Sequence, residues 1–213
     1  MPALEENMKI FRSIKLELAL VLFLTCFLCI ADTFLKVPLC RQAKDYTCGV
    51  AALQCIMAYF GDDVRQDVIE KKVKSRKSVG TIYTNIQKFA QEKGYDVEVK
   101  NNMTLDELKG FLDRGKPVFL EIQAWADPPF TNPLTQYAND YKDGHDVVAI
   151  GYDSANIYFM DPSTLGNYTF IPTDEFLVRW HEQETRKIRL INFGMVITKG
   201  QPVYNPSEIK KME

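Results

Sequence analysis

The sequence predicts an α+β fold, and three observations predict it. Residues 48–114 carry helix-length stretches, residues 117–198 carry strand-length runs rich in β-branched and aromatic side chains, and short turns join several of those runs. Helices first and strands second place a helical half against a mainly antiparallel sheet.

Each element has its own reason. Residues 48–60, CGVAALQCIMAYF, are rich in Ala, Leu and Met and stop at Gly61, which suits a helix closed by a glycine cap. A second helix is expected over 64–73 and a third over 81–93, with Gly94 behind it. Residues 95–99, YDVEV, alternate as a strand; Thr104 and Glu107 then form a capping box for a helix reaching Arg114. Beyond Gly115 the runs 117–123, 145–152, 155–160, 168–171 and 189–198 read as strands. Between Trp125 and Gly144 lies a polar, proline-containing stretch, long for a connection and therefore expected to act as a lid or contact surface.

The amino-terminal segment departs from this pattern. Residues 18–31, LALVLFLTCFLCIA, are fourteen positions without a charge, preceded by Lys9, Arg12 and Lys15. A basic region followed by a short apolar one predicts a signal peptide over 1–31, or an uncleaved membrane anchor, with the folded domain over 32–213 outside the cytoplasm. Cleavage would leave Cys40, Cys48 and Cys55, an odd number in an oxidising compartment, so at least one thiol stays free. Spacing leaves a Cys40–Cys55 disulfide open, while Cys55, inside an apolar helix, reads most simply as a small core residue.

A formal net charge of −2 and a pI of about 5.8 argue against a phosphate-binding surface, so nucleic acid is not expected as a partner. The cysteines and the two histidines make neither a CxxC nor an HExxH pattern, so no metal is expected. No cofactor is expected either, and the chain is read as a monomer.

The chemistry-bearing residues start with Cys48. A thiolate is a strong nucleophile near neutral pH, and a helix amino terminus favours it by placing peptide dipoles behind the sulfur. Gly49 permits close approach of another group. Gln42, six residues upstream, could donate from its side-chain amide to a developing oxyanion together with the Cys48 backbone amide. His145 opens the strand HDVVAIGY, with Val147, Ala149 and Gly151 on its own face, and is the candidate base. Asp161 ends the next strand before Pro162, and a hairpin would return it beside His145 to hold the ring. Asp146, on the opposite face from His145, and Asp153, in the turn, rank below it. His181, in RWHEQE, is expected near a helix end at the surface.

The stretches RQAKDYTCGVAAL, GHDVVAIGY and IYFMDPS together resemble the bacteriocin-processing, double-glycine leader peptidases, a branch of the papain-like cysteine peptidases. The resemblance spans roughly residues 37–198 and departs from the usual pattern at Thr47 and Val50. It implies the papain-like fold, with Gln42 at the oxyanion hole, Cys48 as nucleophile, His145 as base and Asp161 as orienting residue. It also implies a peptide or protein substrate. With the amino-terminal segment, the expected member is a stand-alone exported one without transporter domains. Three activities stay open on these residues: peptide hydrolysis, acyl transfer or deamidation through the same acyl-enzyme, and a catalytically silent binding module of the same fold.

Overall fold

In the computed structural model, residues 32–126, 132–209 and 211 are described; the expected signal or anchor over 1–31 lies outside the described residues. Among the described residues six helices carry the labels α1 (Cys48–Tyr59), α2 (Gln66–Val73), α3 (Tyr83–Glu92), α4 (Leu105–Asp113), α5 (Pro133–Asn139) and α6 (Thr173–Arg179). The strands are β1 (Thr33–Phe34), β2 (Asp96–Lys100), β3 (Val118–Gln123), β4 (Gly144–Tyr152), β5 (Asn156–Met160), β6 (Thr169–Pro172), β7 (His181–Thr185), β8 (Ile188–Ile191) and β9 (Gly194–Thr198).

The ends of the helices follow the expected local chemistry. Gly61, at φ +98°, closes α1 in a Schellman motif, its amide bonding Ala58 O at 3.1 Å while Asp62 N bonds Met57 O at 2.9 Å. At α4, Thr104 Oγ1 accepts from Glu107 N at 3.1 Å and Glu107 Oε2 accepts from Thr104 N at 2.8 Å, which completes the capping box.

Seven strands form one antiparallel sheet in the order β2-β9-β3-β4-β5-β6, and β1 pairs with the far end of β4. β1 binds where β3 has ended, and Gly151 makes room for it: a Cβ there would stand 2.1 Å from Thr33 O. β7 and β8 make a separate two-stranded ribbon, so the single expected strand over 189–198 is in fact two, broken at Asn192, whose φ is +45°.

The sheet is covered on both faces, more than a helical half against a sheet. On one face Phe119, Val148, Ile150, Met195 and Ile197 pack with Val50, Leu53, Ile56 and Met57 of α1 and with Ile69 and Ile86 of α2 and α3. On the other, Leu120, Val147, Ala149 and Phe159 pack with Leu108, Phe111 and Leu112 of α4 and with Phe176 of α6, followed by Trp180. Alternation along a strand sends successive side chains to opposite faces, which explains why β3 and β4 are buried throughout apart from Gly144. Phe119 is fully buried, and its truncation to Ala would cost about 3–5 kcal/mol.

The stretch between Trp125 and Gly144 contains α5 rather than continuous loop. Arg179 ties it to the sheet. Its Nε donates to Gln123 O at 2.7 Å, its Nη2 donates to Ala124 O, and its guanidinium lies 4.4 Å from the ring centre of Tyr137 in α5. Among the described residues no helix is long and apolar enough to cross a membrane.

Candidate active site

Cys48 is the first residue of α1, as the sequence predicts. The segment before it is held by its own bonds: Lys44 N donates to Thr47 Oγ1 at 3.0 Å, and Gln66 Nε2 donates to Arg41 O at 2.8 Å. Gln42 belongs to this segment. Its backbone amide donates to Pro162 O at 2.9 Å, which ties it to the turn carrying Asp161. Its side-chain Nε2 donates to Lys44 O at 2.9 Å, so the amide expected at the oxyanion is engaged by its own loop. An amide so close in sequence to a backbone carbonyl finds that partner first.

His145 and Asp161 meet as expected. Nε2 of the ring donates to Asp161 Oδ1 at 2.7 Å, leaving Nδ1 as the nitrogen that Asp161 does not engage. The β4–β5 pairing makes this contact, because it runs from Tyr152↔Ile157 at the hairpin turn to Val148↔Met160 beside Asp161. Asp161 also accepts from Ser163 N at 2.8 Å and from Thr164 Oγ1 at 2.9 Å. Burial pushes its pKa up, yet the His145 ring and the Ser163 bonds outweigh that and hold the carboxyl well below its ordinary range. The indole of Trp125 lies 5.1 Å from the His145 ring, centre to centre, and covers one side of the pair.

The thiol, however, is engaged elsewhere. Cys48 Sγ donates to Asp146 Oδ2 at 3.2 Å, and among the described residues no hydrogen bond joins it to His145. Both residues line one cleft of about 400 Å³. Asp146 leaves β4 on the face opposite His145, as alternation requires, and that face is the one α1 covers. Gly49 allows the approach: a Cβ at that position would stand 2.6 Å from Asp146 Oδ2. The helix terminus was expected to lower the thiol pKa. Instead burial pushes the Cys48 thiol well above its ordinary value, and the negative charge of Asp146 pushes it further.

Asp146 is one of several carboxyls here. Glu121 stands directly across the β3–β4 ladder from it, and Glu182 and Glu184 of β7 line the same cleft. Burial, reinforced by the charges of Glu184 and Glu182, pushes Asp146 up to about 8 against the opposing pull of the Cys48 thiol and Gly49 amide. Burial raises Glu184 to about 7 and Glu182 to about 6; Glu121 is raised well above the carboxylate range by burial and then by Asp146. Like charges opposed on a ladder repel, so protons are retained there. Sequence reasoning missed these four as a group. One available signal was the lone acid inside the apolar run PVFLEIQ.

His181 is also corrected: it opens β7 rather than ending a helix, is only 7% exposed, and donates from Nε2 to Asp140 O at 2.8 Å. Asp153 sits in the β4–β5 turn, where it accepts from Tyr158 Oη at 2.6 Å. Cys40, Cys48 and Cys55 are all free thiols, and Cys55 is buried in α1. Among the described residues no cluster of His, Cys, Asp and Glu could hold a metal ion.

Solved structures with the same fold include a Bacillus anthracis protein described as a C39-like peptidase, at 18% identity and TM-score 0.59, covering 80% of this chain and 98% of that one. A double glycine motif protease from an AMS/PCAT transporter, solved with its leader peptide, aligns at 18% identity and TM-score 0.54, covering 82% and 97%. The peptidase domain of Streptococcus ComA, a bifunctional ABC transporter of a quorum-sensing pathway, aligns at 14% identity and TM-score 0.55, covering 78% and 96%. These likenesses establish the α+β, papain-like architecture. No match was found among curated proteins. The profile described as Peptidase_C39 like family matches residues 34–188, from β1 through the whole cleft to β8, and the chain therefore belongs to the Peptidase_C39 like family.

Proposed function

We propose that this chain is a thiol-dependent peptidase acting on peptides or proteins outside the cytoplasm. The observation that carries the reading is the His145–Asp161 pair, at 2.7 Å, whose imidazole lines the same cleft as a cysteine at a helix amino terminus. The reaction requires Sγ to leave Asp146 and turn towards the imidazole, a change between staggered χ1 positions of Cys48. His145 then takes the thiol proton, and the thiolate adds to the peptide carbonyl carbon. The oxyanion is met by the Cys48 amide and by Gln42 once its side chain leaves Lys44 O. The protonated ring gives its proton to the departing amine, leaving a thioester that water cleaves with the same ring as base. Asp161 stays ionised throughout and stabilises the imidazolium. The bacteriocin-peptidase resemblance and the family membership support the reaction class. The basic-then-apolar segment over 1–31 supports export or tethering, with the domain over 32–213.

A binding module of the same fold draws on a different observation, the raised thiol held by Asp146. One experiment separates the two. Iodoacetamide labelling of the intact chain is mapped across pH beside a peptide-library digest, for the wild type, Cys48→Ala and His145→Ala. Cleavage that both substitutions abolish supports the peptidase. No cleavage, together with Cys48 labelling no faster than Cys40, supports the binding module.

A further inference from the structure

Two thiols outside the cleft meet each other. Cys55 is fully buried in α1, and Cys40, in the segment before α1, packs against the core cluster that contains Cys55 while staying partly open to solvent. The Cys55 thiol donates to the Cys40 sulfur, a bond that favours the Cys40 thiolate and lowers its pKa against the opposing effects of burial and the Asp63 charge. Burial, and then Cys40, push Cys55 well above its ordinary value. One sulfur is therefore reachable and the more acidic of the two, and the other stands behind it in the core.

The contact is held by bonds other than its own. On one side of Cys40, Val37 is fully buried and its carbonyl accepts from Tyr168 Oη at 2.6 Å. On the other side, Gln66 of α2 donates from Nε2 to Arg41 O at 2.8 Å and accepts at Oε1 from Ala43 N at 3.0 Å. The same Nε2 donates to Gln54 Oε1 of α1 at 2.9 Å, so the segment is clamped to the helix that carries Cys55. Cys40 cannot swing away from Cys55 without breaking these bonds. Cys48 is kept apart from the pair: it lies two turns, about 10 Å, before Cys55 along α1, and its thiol donates to Asp146.

We propose that Cys40 and Cys55 form a redox-modification site: a small-molecule disulfide converts them to an intramolecular disulfide that staples the segment carrying Gln42 to α1 and leaves Cys48 unpaired. The Cys40 thiolate attacks one sulfur of the disulfide RSSR, which breaks the S–S bond, forms a mixed disulfide on Cys40 and releases one RS−. Cys55 then gives up its proton and attacks the Cys40 sulfur, expelling the second RS−. Two protein thiols are oxidised, one RSSR is reduced, and the two protons lost by the cysteines end on two RSH. The site stands whether or not the chain hydrolyses peptides.

The test uses the intact chain, reduced and then incubated with glutathione disulfide, unfolded in the presence of N-ethylmaleimide and mapped by peptide mass spectrometry without reduction, which separates these cysteines from Cys26 and Cys29. A Cys40–Cys55 cross-link is expected, with Cys48 alkylated. Closing a loop of about 15 residues should raise Tm by about 6–12 °C over the reduced chain. Cys55→Ala should stop the reaction at the mixed disulfide and retain glutathione on Cys40. Alkylation of both Cys40 and Cys55 in the treated wild type overturns the site, as does glutathione retained on its Cys40 or a bridge that joins either residue to Cys48. A Cys40–Cys55 bridge that leaves Tm unchanged or lowers it overturns the staple.

Discussion

The Cys48 thiol donates to Asp146 Oδ2 at 3.2 Å, while the neighbouring residue, His145, is bonded through Nε2 to Asp161 on the other side of the strand. The adjacent residues of β4 thus serve the two halves of the site, one holding the sulfur and the other the base. In this arrangement the resting thiol is protonated, because packing around it and the charge of Asp146 both disfavour the thiolate.

Replacing Asp146 with Asn keeps a hydrogen-bond acceptor and removes the charge. The thiol pKa should then fall, and alkylation of Cys48 by iodoacetamide at pH 9, above the value of about 8 to which Asp146 is pushed, should speed up by about tenfold, the effect of one pKa unit. An unchanged rate would show that Asp146 does not govern the sulfur.

The raised carboxyls set a pH dependence of stability. Asp146 titrates at about 8 in the fold against 3.8 ordinarily, Glu184 at about 7 and Glu182 at about 6 against 4.5. The folded state therefore binds more protons than the unfolded chain, and the contribution is complete below pH about 4 and lost as pH rises through 6 to 8. Asp161 acts in the opposite sense, its contribution being present above about 4 and lost on further acidification. Tm should be highest near pH 4–5 and fall by several degrees towards pH 8. Asp146→Asn or Glu184→Gln should flatten that slope, and a Tm that climbs between pH 5 and 8 would contradict the assignment.

Asp161→Asn should lower kcat/KM by about 100-fold or more while leaving Cys48 in place, because the amide neither fixes the ring tautomer nor stabilises the imidazolium. Steady-state kinetics on a peptide found in the library digest measures it. A loss confined to KM would instead assign Asp161 to binding.

Arg179→Ala removes the donors to Gln123 O and Ala124 O and exposes Tyr137 of α5. Denaturant unfolding should show a loss of about 2–4 kcal/mol, since buried carbonyls are left open. Arg179→Lys should recover little of it, a single ammonium being unable to span both carbonyls and the ring. Full recovery by Lys would make the role purely one of charge.

Gly49→Ala should destabilise by about 1–3 kcal/mol, because the added methyl would meet Asp146 Oδ2 at 2.6 Å and Thr81 Cβ at 3.0 Å. A substitution that is neutral in thermal unfolding would mean that the Asp146 carboxyl moves aside freely.

Much of this protein is written locally. The apolar run from Cys48 closed by Gly61, the Thr104–Glu107 box, and the alternation that puts Val147 and Ala149 on the His145 face all depend on residues a few positions apart, and each appears where the sequence places it. The His145–Asp161 contact was legible for the same reason, since one hairpin connects them. What surrounds the sulfur was not legible. Glu121, Asp146 and Glu184 reach the Cys48 cleft from three strands joined by long crossings, and Gln42 turns to Lys44 O instead. His181 is buried where Asp140, 41 residues before it, returns to accept from its ring and Tyr141 packs against it. Sequence spacing determines which face a side chain takes on its own element, whereas the packing of separate elements decides which charges share that face, and with them whether the thiol rests neutral or ionised.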